Sequence, residues 1–204
     1  RLFYGEEKGQ GVDHLGCSEP VRSALEDMMK LSSGLVLVNG PTGAGKTTTI
    51  YACLKYWRDK GKNVVTIEDP VEVVVEGIRQ SSVNEAAGFG VEDALRGVLR
   101  QDPDVILIGE IRDAKVAQLA LQVAFSGHIV VASFHAGSVR DTLLRLSSFQ
   151  LDSFLLHHCL KWVFCQKLVS KKCRVCCENV TPQDQSRGCE ECAWTGVSGV
   201  VPLD

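Results

Sequence analysis

Nowhere in the 204 residues does an apolar run approach the roughly 18 residues that a membrane-crossing helix needs, and no leader with a charged start and an apolar middle opens the chain. Charge of one sign is not in excess: 22 lysines and arginines stand against 25 aspartates and glutamates, a formal net charge of −3. That balance gives no support for broad electrostatic binding to nucleic acid. The few aromatic residues, 6% of the chain, are not interleaved with basic ones as a base-stacking groove asks. Internal repeats and low-complexity tracts are absent too. These absences lead us to expect a cytoplasmic protein with no transmembrane segment and no direct nucleic-acid partner, able to meet a membrane only by docking on a membrane protein.

What is there is ordinary in bulk, with 45% hydrophobic and 23% charged residues and a length that suits one large domain or one domain with an appendage. Cysteine is the exception. Of nine, Cys17, Cys53, Cys159 and Cys165 are scattered, whereas Cys173, Cys176, Cys177, Cys189 and Cys192 crowd together near the C-terminus. In a reducing compartment clustered cysteines point to metal before disulfides. Cys173-x-x-Cys176 and Cys189-x-x-Cys192 are two pairs with 12 residues between them. Four thiolates so spaced suit a closed, tetrahedral and therefore structural Zn²⁺ site. Cys177 is an alternative ligand to Cys176, and four reduced thiols without metal are the plain alternative.

The most informative segment is GPTGAGKTTT at 40–49, directly after the apolar run LVLVN at 35–39 and before a helix-patterned stretch. This is the phosphate-loop pattern G-x-x-x-x-G-K-[ST] in the strand–loop–helix context it requires. Gly40, Gly43 and Gly45 permit backbone geometries closed to residues with a Cβ. Successive N–H groups, with Pro41, Thr42, Ala44 and Thr48 completing the loop, then form an anion-binding concavity at the positive end of the next helix. Lys46 is placed for the β- and γ-phosphates, and the Thr47 hydroxyl for Mg²⁺. The ligand set is a nucleoside triphosphate with Mg²⁺.

Along the chain, residues 1–17 open on Arg1 rather than Met and are Gly-rich and polar after Leu2-Phe3-Tyr4; we expect the tail of a missing N-terminal domain and a linker. Ser18 caps a helix with Pro20 in its first turn. Strands are expected at 35–39, 64–67, 105–108 and 129–132, each a continuous apolar run, alternating with helices. That is a mostly parallel sheet covered on both faces, an α/β fold, and ligands bind such sheets at the carboxyl ends of the strands. We expect the nucleotide-binding core over 18–150 and a C-terminal helical region with the cysteine element over 151–204. Within 138–166 the pattern reads as helix, with Leu151, Leu155, His158 and Trp162 on one stripe.

Phosphoryl transfer to water needs Mg²⁺, a group that orients or deprotonates the water, and cations that meet the developing charge. Glu68 and Glu110 each follow a buried strand, where such carboxylates belong. Which of them is the base stays open. His135 follows a strand as well and could sense the γ-phosphate, although a lone histidine is more often structural. Arg79, Arg96, Arg100 and Arg112 are the candidates for charge stabilisation.

EDPVE at 68–72, LRGVLRQDPDVILIGEIRD at 95–113 and GHIVVASFH at 127–135 follow the loop in order and spacing, and together they resemble the secretion ATPase superfamily, the motors of type II secretion, type IV pilus assembly and competence pseudopili. The resemblance runs from about Leu15 to Gly199. It implies a RecA-like core in a homohexamer that turns over ATP against an inner-membrane platform protein, peripheral to the cytoplasmic membrane. It also implies Lys46 and Thr47 as nucleotide-loop residues, Glu68 as the glutamate of the aspartate-box segment, Glu110 as the Walker B carboxylate, and His128 and His135 as the two histidine-box positions. Leu2-Phe3-Tyr4 resembles the last strand of the family's N-terminal domain, which supplies arginines to a neighbouring site. Assembly- and secretion-type members carry a tetracysteine metal element where this chain has its cysteines, and retraction-type members lack it. Where the family usually has arginine after the segment beginning at Trp194, this chain has Val200. Lys161, Lys167, Lys171 and Lys172 read either as a solvated face or as a basic docking surface for an acidic part of the platform protein. The competing readings are a RecA-like nucleic-acid motor and a scaffold that binds ATP only to set its assembly state.

Overall fold

The computed structural model describes residues 11–173, residue 190 and residues 197–203. Six strands make one wholly parallel sheet: β1 (Gly34–Asn39), β2 (Val64–Glu68), β3 (Arg79–Ser82), β4 (Val105–Ile108), β5 (Ile129–Phe134) and β6 (Leu160–Cys165), in the spatial order β3-β2-β4-β5-β1-β6. Helices α1 (Glu19–Met29), α2 (Lys46–Asp59), α3 (Val91–Val98), α4 (Ala114–Phe125), α5 (Val139–Ser148) and α6 (Ser153–Cys159) cover it. A separate antiparallel pair, β7 (Lys167–Lys172) and β8 (Val197–Leu203), comes after β6 in the chain.

The two-residue period of the strands divides the core between the faces of the sheet. Leu35 and Leu37, Ile106 and Ile108, and Val130 and Ala132 face a cluster with α3 and α4. Val36 and Val38, Val105 and Leu107, and Ile129 and Val131 face a second cluster with α1 and α2. Burial on both faces is why these strands read as unbroken apolar runs. Ser18 occupies the N-cap of α1, and Asp113 caps α4 by accepting from the Val116 N–H at 2.9 Å. The Trp57 indole N–H donates to the Met29 carbonyl at 3.0 Å and ties α2 to the end of α1.

The helix expected through residue 166 ends at Cys159. In place of a continuing C-terminal helical region, Leu160–Cys165 is a strand paired with β1. Without β6, one edge of the fully buried β1 would leave its N–H and C=O groups unpaired. The segment also suits a strand, with Trp162 and Phe164 packed toward the α1/α2 side and Val163 toward the other. Stacking of Trp162 on Phe164, ring centres 5.5 Å apart, results from that alternation. The 3.6-residue stripe was a coincidence of spacing, and sheet pairing decided the outcome.

Candidate active site

Because all six strands run the same way, their carboxyl ends share one edge. In spatial order that edge carries Ser82, Glu68, the Gly109-Glu110 pair, His135, the loop from Gly40, and Gln166. The phosphate loop leaves β1 with Gly40, Gly43 and Gly45 at φ of 147°, 76° and 81°. A Cβ on Gly40 would stand 2.3 Å from the Gln166 carbonyl oxygen, so only glycine fits there. Gly45 is the N-cap of α2, and no side chain caps that helix. The N–H groups of its first turn, which have no partners within the helix, therefore open onto the loop with the positive end of the dipole. A cradle closed to side chains, at an uncapped helix N-terminus, fits a polyphosphate.

Lys46 donates to the carbonyls of Gly40 and Pro41 at 2.7 and 3.0 Å, arching over the loop. Burial lowers its pKa below the ordinary lysine value, and the nearby Glu110 charge opposes that shift.

The two candidate carboxylates have different surroundings. Glu68 is 7% exposed and is held by neutral donors: the Tyr51 hydroxyl at 2.5 Å, the Thr66 hydroxyl at 2.5 Å and the Gln80 amide at 3.2 Å. Thr66 sits two residues before Glu68 on the same strand face, and α2 brings Tyr51 over that face. Burial, and then the bond to Glu68, push the Tyr51 phenol far above its usual pKa, so it stays a donor. Glu110 faces an arginine and a histidine. Arg112 Nε donates to it at 2.8 Å, and His135 Nε2 lies 3.2 Å from its other oxygen. Arg112 also reaches Asp69 at 3.0 Å, so one guanidinium links the ends of β2 and β4 and its own pKa is raised by these carboxylates, Glu110 first.

Lys46, Tyr51, Glu68, Asp69, Glu110, Arg112 and His135 line one cleft of about 560 Å³ with Thr42, Gly43, Thr47 and Thr48. A second hollow of about 300 Å³ adjoins it, sharing Gly45, Thr47, Thr48 and Tyr51 and walled by Leu15, Ala52, Val75 and Leu168. Of the four candidate arginines, Arg112 lines the cleft; Arg96 pairs with Glu92 on α3, and Arg79 and Arg100 lie exposed on other elements. His128 stands at the opposite end of β5 from His135, its Nδ1 2.9 Å from Ser126 Oγ, so six residues of strand, roughly 20 Å, part the two histidines. Cys173 is buried just after β7; Cys176, Cys189 and Cys192 lie outside the described residues. Among the described residues no three His, Cys, Asp or Glu side chains cluster to hold a metal ion. Mg²⁺ does not ask for such a cage, because it keeps waters and takes one or two protein ligands with phosphate oxygens. Thr47 and Glu110, both on the cleft, meet that demand.

Tyr51, Gln80 and Gln166 were not singled out from the sequence. Tyr51 reads as one more apolar position of α2, Gln80 lies in a segment without clear period, and Gln166 directly follows a strand that reads as helix.

Residues 1–203 match the family model described as type II/IV secretion system protein. The chain belongs to that family. The type II secretion system protein E of Pseudomonas aeruginosa is 39% identical over 202 residues, covering 99% of this chain and 39% of that protein. The type IV pilus assembly ATPase PilB of the same species is 39% identical over 176 residues, covering 86% of this chain and 31% of that protein. The chain thus spans less than half the length of these curated relatives. Among solved structures, the crystal structure of the pilus retraction motor PilT with bound ADP matches with a TM-score of 0.72 at 35% identity, over 84% of this chain and 51% of that one. Within this secretion family fold, the neutral donors around Glu68 are the part most open to a stability test. Tyr51→Phe removes a donor from a buried carboxylate and should cost about 1–3 kcal/mol in denaturant unfolding. A change under about 0.5 kcal/mol would show that the bond does not hold the site.

Proposed function

We propose that this chain is the RecA-like catalytic core of a hexameric ATPase motor that drives assembly of a type IV pilus, type II secretion pseudopilus or competence pseudopilus through an inner-membrane platform protein. The observation that carries the reading is the convergence, in one cleft, of the phosphate loop with Glu68, Glu110, Arg112 and His135. The names of the relatives, secretion protein E and a pilus assembly ATPase, supply the system. Among the described residues no helix is long and apolar enough to cross a membrane. The proposed link to the membrane is therefore through partners, with the exposed Lys161 and Lys167 available to an acidic surface.

In this reading the loop from Gly40 to Thr48 cradles the phosphates and Lys46 turns from the loop carbonyls to the β- and γ-phosphates. Thr47 and Glu110 would hold Mg²⁺ or its water, and the ion, when bound, would supply positive charge beside the transferring phosphoryl group. The two carboxylates divide the work by environment. Glu110 is already engaged by Arg112 and His135, which suits a charge held in place beside a cation. Glu68 is gripped only by neutral donors and faces the cleft, which suits the group that orients water and takes its proton. Arg112, spanning Asp69 and Glu110, is placed to meet charge developing on the phosphoryl oxygens, and His135 couples β5 to Glu110. The adjoining hollow, apolar on one side, has room for the nucleobase.

A four-thiolate Zn²⁺ site at Cys173, Cys176, Cys189 and Cys192 belongs to the proposal on the spacing of the cysteines. It favours assembly or secretion over retraction.

Two measurements test these assignments. In the intact protein Glu68→Gln should lower kcat by about 10²-fold or more with little change in KM for MgATP; unchanged turnover would show that Glu68 is not the group that takes the proton, and a wild-type protein that binds MgATP without turning it over would leave a scaffold. Elemental analysis of the purified protein should find one zinc per chain, lost in Cys173→Ser, and a metal-free, folded wild-type protein would remove the zinc site from the account.

A further inference from the structure

β6 was expected to be helix, and its conversion to strand puts Gln166 on the far side of the phosphate loop from His135. Gln166 makes contact along the whole arc. Its N–H donates to the carbonyl of Asn39, the last residue of β1, at 2.9 Å. Its side-chain oxygen accepts from the Thr49 hydroxyl, in the first turn of α2, at 2.8 Å. Its carbonyl oxygen fills the space a Cβ on Gly40 would need, and its amide nitrogen lies 2.9 Å from where a Cβ on Gly45 would stand. One residue thus touches the strand before the loop, both terminal glycines of the loop and the helix after it. Asn39 is fixed from the other side as well, its amide donating to Thr142 of α5 at 2.6 Å.

An anion cradle made of backbone N–H groups binds only as well as its shape is held, because any disorder in it must be removed when the anion arrives. The loop's glycines give it the required geometry but no stiffness of their own. We propose that Gln166 is a positioning residue that supplies this stiffness, holding the loop in its anion-binding shape and setting the affinity for MgATP without taking part in the cleavage step. Leu168, two residues on, packs against Gly45 and extends the brace into β7. The proposal rests on the reading of the loop as the nucleotide site.

Gln166→Ala, Thr49→Val, Thr49→Ser and the Gln166→Ala/Thr49→Val double variant separate this role from others, with Lys46→Ala as the control for the site itself. In the intact protein, steady-state turnover and equilibrium MgATP binding should show KM and Kd raised about 5- to 10-fold in Gln166→Ala with kcat within about twofold, as expected when a bond of about 1 kcal/mol that acts on binding alone is lost. Thr49→Val should move the same way, Thr49→Ser should restore the wild-type values, and the double variant should be no worse than Gln166→Ala, because the two residues form one contact. If Lys46→Ala abolishes binding while Gln166→Ala and Thr49→Val leave KM within about twofold, or lower kcat alone, the positioning role is overturned and the nucleotide site stands. If Lys46→Ala leaves MgATP binding intact, the nucleotide reading itself falls, and this inference with it.

Discussion

The structure depends on the junction where β1 ends and α2 begins. Six residues, Gly40 to Gly45, must reverse the chain tightly enough to point the start of α2 back at the strand edge. They do so through three glycines in geometries that side chains resist. Every other feature of the site is arranged relative to that arc. β5 lies on one side and brings His135, β6 lies on the other and brings Gln166, and α2 carries Tyr51 over the end of β2. The parallel sheet makes this possible, because strands running one way deliver all their carboxyl ends to one edge.

Charge is distributed across that edge in a way that separates two carboxylates of the same type. Near the loop, Lys46, Glu110, Arg112 and Asp69 form a partly solvated ionic group with cations and anions interleaved, and His135 stands beside Glu110. Exposed ion pairs of this kind contribute little to stability. Their value lies in fixing side chains that would otherwise sweep the cleft. In the same cleft Glu68 is buried with no cationic partner among the described residues, its oxygens satisfied by Tyr51, Thr66 and Gln80. Burying a carboxylate in that way is costly unless its donors are all present, so the donors and the site stand or fall together.

Much of this was legible in the sequence, and the reason is physical. A buried parallel strand needs an unbroken apolar run, so a polar residue directly after one marks the ligand edge. Glu68, Glu110 and His135 all announce themselves that way, and the loop does so by its glycines and Lys46. Tyr51 and Gln80 did not, because their role arises only when α2 and β3 pack on either side of Glu68. The stripe through Leu151, Leu155, His158 and Trp162 misled for a related reason: a seven-residue helix running directly into a strand can mimic one longer helix when apolar residues fall at matching intervals. That error hid Gln166, since the last residue of an expected helix gives no hint of standing at the carboxyl edge of a sheet beside the phosphate loop. The two histidines of 127–135 show the converse. They are near neighbours in the sequence pattern and stand at opposite ends of a strand.

The relatives that share this fold and spacing include a secretion protein and a pilus assembly ATPase, each more than twice the length of this chain. In the function proposed above, the cleft turns over ATP as one of several sites completed between subunits. The measurement that tests it most directly is ATP turnover per subunit as a function of protein concentration, in the intact protein, with and without single-stranded DNA. The account predicts specific activity that climbs with concentration as rings form and that ignores the DNA. Activity that is flat with concentration and raised by single-stranded DNA would contradict it and make a nucleic-acid motor the better description.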